Sequence, residues 1–213
     1  MRIKDHLIFA SDVAAKPRSL DRLLAAALPH VSLTAWQALF ELAGLSEGQT
    51  VLIHGAAGGV GHIAVQLAKW RGAKVIGTTS RNFEFLRELN VDLIIDYSSV
   101  PFEEEASDVD VVLDIVGGEV QRRSCMVLKP NGILVSVIQE PAEELTAEFG
   151  VRSAMVYSAP LIGEVLTQVA ELADTGLIKP HVSAVLPIQE AAKAHEMIEG
   201  RHTHGKIVLQ VAQ

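Results

Sequence analysis

The sequence has little of several residue types that mark other classes of protein. Its 213 residues include one cysteine, Cys125, so it offers no internal disulfide and no cysteine-built zinc site. No apolar run approaches the roughly 20 residues needed to span a bilayer, and the first residues lack a secretory signal pattern. We therefore expect a cytoplasmic protein with no membrane partner, and we interpret Cys125 as a small buried apolar residue.

Basic residues are also scarce relative to acidic ones. The 18 Lys and Arg residues against 26 Asp and Glu give a net charge of −8, so we expect no nucleic-acid partner. Hydrophobic residues make up 49% of the chain, which is typical of a globular domain with a sizeable core. Such an acidic chain can still bind an anionic cofactor if helix N-termini and one or two basic side chains make a local positive site.

Short apolar segments alternate with amphipathic ones from residue 51 onward. Strands are predicted at 51–54, 73–78, 93–96, 110–115, 133–138 and 152–157. Helices are predicted at 60–70, 82–89, 119–128 and 161–175. This alternation is typical of a parallel sheet covered by helices on both faces, with right-handed crossovers. We predict an α/β protein whose main domain is a doubly wound, six-stranded Rossmann sheet.

The two ends and the connecting segments are less regular. We predict a strand at 7–10, a loop at Lys16-Pro17 and an apolar helix near 33–42. Residues 129–132 are predicted as a turn in which Asn131 and Gly132 supply positive φ, and 140–150 as a polar connection. The tail contains a predicted strand at 181–186, a helix at 188–199 and a strand at 205–211. These tail elements either extend the main sheet or form a separate one.

The most informative motif is the glycine loop, residues 54–61, which reads HGAAGGVG. It follows a predicted strand and opens a predicted helix, the context in which such a pattern indicates a dinucleotide site. Gly55 and Gly58 allow a tight turn close to a pyrophosphate, and Gly61 allows the helix to pack closely on the sheet. Backbone N–H groups near Gly59 and Val60 then point at the phosphates.

The residues after the second strand favour NADP over NAD. An NAD site has an acidic residue about 20 positions beyond the glycine motif, where it binds the ribose hydroxyls. No Asp or Glu lies between His62 and Phe83; the segment Thr78-Thr79-Ser80-Arg81 offers hydroxyls and a cation instead. Because a guanidinium pairs with a phosphate, Arg81 predicts recognition of the 2′-phosphate of NADP(H).

Seven separated motifs lie along the chain, at 33–39, 48–61, 68–81, 92–97, 110–118, 128–137 and 205–209. In their residues and their order they resemble a known family, the zinc-independent quinone oxidoreductase (zeta-crystallin-like) branch of the medium-chain dehydrogenase/reductase superfamily. The match covers nearly the whole chain from about Val13.

The resemblance implies a role for individual residues. Gly58, Gly59, Val60 and Gly61 would hold the pyrophosphate, and Ser80, Arg81 and Tyr97 would surround the 2′-phosphate. Val116 and Gly117 would line the adenosine and ribose side. Ser136, Val137 and Ile138 would approach the nicotinamide, with Thr34 nearby. The resemblance also implies a homodimer formed through the edge strand at 152–157.

The sequence departs from the family in two places. The family begins with a GroES-like substrate domain, of which only a remnant is expected here. The expected division is a remnant and linker at 1–30, a Rossmann NADP-binding domain at 31–180, and a C-terminal segment at 181–213 that in the family returns to the substrate domain. In addition, the segment Thr79–Asn82 is about one residue shorter than usual, so Asn82 shares the place of Arg81.

No residue is assigned a catalytic role. Ser136 and Thr34 are the nearest guesses for a general acid. We predict no metal site: His202 and His204 are interpreted as a solvated turn, and His54 and His62 as structural residues rather than phosphate ligands.

The leading prediction is an NADPH-dependent oxidoreductase that transfers hydride to a quinone or an activated double bond, with a small hydrophobic electron acceptor as its other substrate. The alternatives are an NADP(H)-binding module or sensor without turnover, and a fragment of a longer reductase.

Overall fold

The centre of the protein is a six-stranded parallel sheet with the strand order β3-β2-β1-β4-β5-β6. The computed structural model describes residues 10–157, 162–200 and 203–211. The strands are β1 Thr50–Ile53, β2 Lys74–Thr79, β3 Leu93–Asp96, β4 Val109–Asp114, β5 Leu128–Ser136 and β6 Arg152–Met155. The strand order and parallel pairing confirm the prediction of a doubly wound Rossmann-type sheet.

Helices cover both faces of this sheet, as predicted. They are α1 Arg22–Ala26, α2 Pro29–Trp36, α3 Gly61–Trp70, α4 Phe83–Glu88, α5 Phe102–Glu105, α6 Glu119–Val127, α7 Glu143–Phe149 and α8 Ile162–Asp174. Side chains of a strand alternate between its two faces. Accordingly, Val51 and Ile53 belong to one buried cluster with residues of α2, α3 and α8, whereas Leu52 belongs to a second cluster with residues of α5 and α6.

Cys125 lies in the second cluster, as expected for a small buried apolar residue. Its side chain is buried beside Leu134 and Val127. Burial raises the pKa of the Cys125 thiol to about 11, so the thiol is protonated at neutral pH and a poor nucleophile.

Helix α3 is buried more completely than an amphipathic pattern predicts. Every residue from Gly61 to Ala68 is buried, including His62 and Gln66 on the polar side. The segment that follows α8 covers that side, because the Gln66 amide donates to Lys179 O at 3.1 Å and accepts from Lys179 N at 2.8 Å. The helix that carries the glycine loop therefore lies between the main sheet and the tail.

The tail forms a separate unit, which resolves the two alternatives left by the sequence. Strands β7 Val182–Pro187 and β8 Lys206–Gln210 pair in parallel as a two-stranded sheet, with helix α9 Ala191–Glu199 between them. A short 3-10 turn, Ile188–Glu190, precedes α9 inside the predicted helix. We call residues 182–210 the C-terminal unit.

The N-terminal residues pack against α8. A Cβ placed on Gly163 would lie 2.3 Å from Ser11 O, so only glycine admits this crossing. Further along, Asp174 accepts a hydrogen bond from Ser19 N at 2.8 Å. Of the strand predicted at 7–10, residues 7–9 lie outside the described residues and Ala10 begins a 3-10 turn. The helix predicted near 33–42 is the end of α2 followed by a π-helical turn, Gln37–Leu42.

Two local predictions were wrong. The polar connection at 140–150 contains α7, which has no fully buried residue but packs Leu145 and Phe149 against the second cluster. The turn at 129–132 lies within β5, where the register with β4 shifts. Asn131 has the predicted positive φ of 62°. Gly132 does not, and serves instead to avoid a contact of 2.9 Å between a Cβ and Lys129 O.

Candidate cofactor site

The glycine loop has the backbone geometry that the sequence predicts. Gly55 has a φ of 62°, which favours glycine, and its carbonyl accepts from Gly58 N at 2.9 Å to close a tight turn. A Cβ on Gly61 would lie 2.3 Å from Gly55 O and 2.8 Å from the Ala56 backbone. The first turn of α3 can therefore lie directly on the loop only because residue 61 has no side chain, as required for close helix–strand packing in a dinucleotide site.

A shallow pocket of about 120 Å³ lies between the glycine loop and the end of β2. It is lined by Gly55, Ala57, Gly58, Thr78, Thr79, Ser80, Arg81, Asn82, Tyr97 and Thr203. The structure thus brings the predicted pyrophosphate loop and the predicted 2′-phosphate residues to one pocket. Arg81 and Asn82 both line it.

The polar groups at the end of β2 are organised by neighbouring hydroxyls. The Ser80 hydroxyl donates to the Tyr97 phenol oxygen at 3.0 Å, which joins the ends of β2 and β3. Tyr97 is 56% exposed, so its ring and hydroxyl are accessible. In the described part of the chain, Arg81 forms no ion pair with a carboxylate. Its charge is therefore available to an anion.

Asp114, at the end of β4, joins the loop that follows β4 to the loop that follows β5. One carboxylate oxygen accepts from Val116 N at 2.9 Å and Gly117 N at 2.8 Å. The other accepts from the Gln121 amide at 2.8 Å and the Ser136 hydroxyl at 3.1 Å. Charge-assisted bonds of this kind are stronger than neutral ones, so Asp114 holds the ends of β4 and β5 together.

This network changes the interpretation of Ser136. The residue is fully buried, at 0% exposure, and its hydroxyl donates to Asp114. It supports the loop that follows β5 and directs its proton at Asp114, so the geometry gives no support for Ser136 as a general acid. Beyond it, Ile138 lies against Gly117. Ile138 and Val116 are each 52% exposed.

Thr34 is not joined to these groups by its side chain. Its hydroxyl donates to His30 O at 2.9 Å within α2. Such a bond to the preceding turn is a usual local use of a helical threonine. The geometry therefore gives no support for Thr34 as a general acid.

His54 and His62 are structural residues, as predicted. Burial lowers the pKa of each from 6.5 to about 4, so both rings are neutral near pH 7. His54 lies between Thr78 and Ser124, with ring nitrogens 3.3 and 2.9 Å from their hydroxyls. His62 contacts Gly58 O through Nδ1 at 2.9 Å. Neither ring is exposed to a phosphate.

The segment from Thr203 to Lys206 also contributes to the site, although the sequence did not indicate it. Gly205 N donates to Ala57 O at 2.9 Å, and a Cβ placed on Gly59 would lie 3.1 Å from Lys206 Cδ. The Lys206 ammonium therefore lies beside the loop that is predicted to bind the pyrophosphate. Because about 145 residues of sequence separate these segments, no local pattern indicates the contact.

The described residues include neither a candidate metal-ligand group nor a membrane-spanning helix. Among residues 10–157, 162–200 and 203–211, no three His, Cys, Asp or Glu residues are grouped so that they could hold a metal ion. His202 lies outside the described residues, whereas the His204 ring stacks on His181 with centroids 4.6 Å apart. In the same part of the chain, no helix is long and apolar enough to cross a bilayer.

The chain is similar to known oxidoreductases. Residues 89–209 match the family model described as zinc-binding dehydrogenase. The mitochondrial NAD(P)H oxidoreductase RTN4IP1 of Danio rerio is 30% identical over 97% of this chain and 62% of its own length. A 2-haloacrylate reductase of a Burkholderia species is 32% identical over 91% of this chain and 65% of its own.

Solved structures agree with the sequence comparisons. The quinone oxidoreductase of Coxiella burnetii superimposes with a TM-score of 0.85 and 36% identity, over 92% of this chain and 63% of that one. The chain therefore spans between three fifths and two thirds of the length of these three proteins.

Proposed function

Because the chain belongs to the zinc-binding dehydrogenase family of the medium-chain dehydrogenase/reductase superfamily, we propose that it is an NADPH-dependent oxidoreductase of the quinone reductase type. Its second substrate would be a small hydrophobic electron acceptor, a quinone or an activated double bond. The observation that carries this proposal is the single pocket shared by the glycine loop, Ser80, Arg81 and Tyr97.

The residues of the loop fit a dinucleotide pyrophosphate. Gly58, Gly59, Val60 and Gly61 would surround it, with the backbone N–H groups near Gly59 and Val60 directed at it from the N-terminus of α3, the positive end of the helix dipole. Lys206 adds a positive charge beside Gly59. These groups supply the local positive site that a chain of net charge −8 needs for an anionic ligand.

The end of β2 supports a preference for NADPH over NADH. Arg81 would pair with the 2′-phosphate, and the linked hydroxyls of Ser80 and Tyr97 would hydrogen-bond to it. An acidic residue in the place of Ser80 or Arg81 would repel that phosphate, and none is present.

The residues at the ends of β4 and β5 fit the rest of the cofactor. Val116 and Gly117 would line the adenosine and ribose side, and the backbone of Ser136, Val137 and Ile138 would lie against the nicotinamide, with α2 and Thr34 nearby. When bound, the nicotinamide supplies the hydride. The exposed apolar side chain of Ile138 would exclude water there, and that of Val116 would do so on the adenosine and ribose side, while Asp114 would keep both loops in place.

The described cofactor pocket by itself also fits an alternative, an NADP(H)-binding module or sensor without turnover. In our proposed division, residues 1–30 are a remnant and linker, 31–180 bind NADP(H), and 181–213 correspond to the segment that in the family returns to a substrate domain. In that alternative the chain would bind the cofactor and reduce no acceptor.

Calorimetric titration with NADPH and then NADH tests the cofactor, and a screen of quinones for NADPH oxidation tests turnover. Binding with an NADPH preference plus quinone reduction supports the reductase; binding without any turnover supports the binding module. No binding of either nucleotide would contradict both.

We further propose a cytoplasmic homodimer. Strand β6 lies at the edge of the sheet and has one neighbour, β5, and an uncovered edge tends to pair with another. Light scattering that gave the mass of a single chain at all concentrations would contradict the dimer.

A further inference from the structure

His62 is fully buried in the first turn of α3. It contacts two residues that are far apart in sequence, Gly58 and His181. Its Nδ1 lies 2.9 Å from Gly58 O, and its Nε2 lies 3.2 Å from His181 N. A carbonyl oxygen can only accept a hydrogen bond and a backbone N–H can only donate one. The neutral ring therefore carries its proton on Nδ1, donates to the glycine loop and accepts from the tail.

Backbone hydrogen bonds continue this connection through the C-terminal unit. His181 O accepts from Lys206 N at 2.8 Å, and the neighbouring Gly205 N donates to Ala57 O at 2.9 Å. The hydrogen bonds thus begin and end on the glycine loop. We call this set the loop–tail network; its members are Ala57, Gly58, His62, His181, Gly205 and Lys206.

The network fixes the direction of a backbone donor. Gly58 O accepts from both the ring and the backbone N–H of His62, so this carbonyl points toward α3. In a planar trans peptide the C=O and the next N–H point in opposite directions. The N–H of Gly59 is therefore directed away from the helix, toward the side where the pyrophosphate is proposed to bind.

We propose that His62 is a positioning residue for cofactor binding, which holds the glycine loop and the C-terminal unit in the arrangement that a dinucleotide pyrophosphate requires. This inference rests on the proposed function, because it assigns His62 a role at the same site. A donor that is fixed before binding costs less conformational entropy when the ligand arrives. His62 thus contributes to affinity without touching the ligand.

The test uses two substitutions of His62 and a matched control in the full chain. His62→Phe keeps a ring of similar size and removes both hydrogen bonds, whereas His62→Asn retains an amide donor for Gly58 O. The control is Gln66→Leu, one turn further along α3. Gln66 joins α3 to the segment that follows α8, through Lys179, but it does not contact the glycine loop.

Calorimetry with NADPH should separate these variants. We expect His62→Phe to raise the Kd about tenfold, the usual effect of losing one hydrogen bond, here the one that fixes Gly58 O in the glycine loop. Gln66→Leu should change the Kd by less than about twofold. His62→Asn should recover part of the affinity. Thermal unfolding of each variant establishes that it is folded under the titration conditions; if His62→Phe is not, the comparison is made between His62→Asn and Gln66→Leu.

Two results would overturn the positioning role alone. One is a wild-type chain that binds NADPH while the His62 variants and Gln66→Leu change the Kd equally. The other is a nitrogen NMR spectrum of the wild type that places the imidazole proton of His62 on Nε2 instead of Nδ1. A wild-type chain that binds neither NADPH nor NADH would instead refute the proposed function, and the role of His62 in cofactor binding with it.

Discussion

His54 and His62 flank the glycine loop as buried neutral imidazoles that carry their protons on opposite ring nitrogens. The Ser124 hydroxyl donates to Val120 O at 2.7 Å, so it accepts from His54 Nε2. His54 Nδ1 is then the acceptor for the Thr78 hydroxyl, which in turn accepts from Gly55 N. His62 has the reverse arrangement, with its proton on Nδ1. Both ends of the loop are thereby fixed by a histidine.

This arrangement predicts a loss of stability in mild acid. Burial holds the pKa of both rings at about 4, against 6.5 for an ordinary histidine, so below pH 6.5 the unfolded chain binds protons that the folded chain does not. The free energy of unfolding should be constant above about pH 7 and fall as the pH drops from 6.5 to about 4, by up to roughly 3 kcal/mol per histidine. Denaturant unfolding at a series of pH values measures this.

The charged neighbours of the His54 ring do not change the sign of this effect. Asp114 and Glu103 raise the pKa of His54, Arg123 lowers it, and burial outweighs all three. His62→Phe should remove about half of the slope, whereas the exposed His195→Gln should leave it unchanged. A flat profile in the wild type would show that the two rings are not buried and neutral.

Charge reversal at Arg81 should weaken the binding of NADPH specifically. We expect Arg81→Glu to cost about 1–3 kcal/mol with NADPH and little with NADH, because a charge-assisted bond to the 2′-phosphate would be lost. The matched control is Lys74→Glu, the same charge change at the exposed amino end of β2. Equal losses for the two variants would mean that Arg81 acts only through net charge.

Gly61→Ala should disrupt the glycine loop. The added methyl group would lie 2.3 Å from Gly55 O, a distance that the backbone can relieve only by moving α3 away from the sheet. We expect a loss of stability of roughly 1–3 kcal/mol and no measurable NADPH binding. Gly200→Ala, where a Cβ would meet Met197 O at an ordinary 3.4 Å, is the tolerated control. Retained binding in Gly61→Ala would argue against the close packing.

Asp114→Asn should loosen the loops that follow β4 and β5. The carboxamide replaces one acceptor by a donor in a place where Gln121 and Ser136 also donate, so we expect a loss of about 2–4 kcal/mol in stability and faster amide exchange at Val116 and Gly117. Asp110→Asn, at the other end of β4, removes a comparable set of bonds to Thr50 N and Lys129. It should cost stability without affecting those two amides.

The sheet and the glycine loop could be predicted because their signals are local. Short apolar strands such as 110–115 and the spacing of Gly55, Gly58 and Gly61 follow from rules that relate neighbouring residues. The position of Arg81 follows in the same way, since it is set by the length of α3 and β2.

Contacts between distant segments could not be predicted. Lys206 lies beside Gly59 only because the C-terminal unit packs on α3, and nothing near residue 206 indicates that. Ser136 ends β5 close to the expected place, but its hydrogen bonds in the buried position come from Asp114 and Gln121 of other elements. Helix α7 was missed because only two of its residues, Leu145 and Phe149, are large apolar side chains that pack on the second cluster, too few to show a helical periodicity.

The hydrogen bond from Gly205 to Ala57 has a thermodynamic consequence. If docking of the C-terminal unit raises the affinity of the loop for a dinucleotide by some factor, linkage requires the dinucleotide to strengthen the docking by the same factor. A bound cofactor would then protect β7 and β8 from proteolysis, although neither strand lies in the main sheet. The tail would act as a reporter of occupancy some distance from the reacting end of the cofactor.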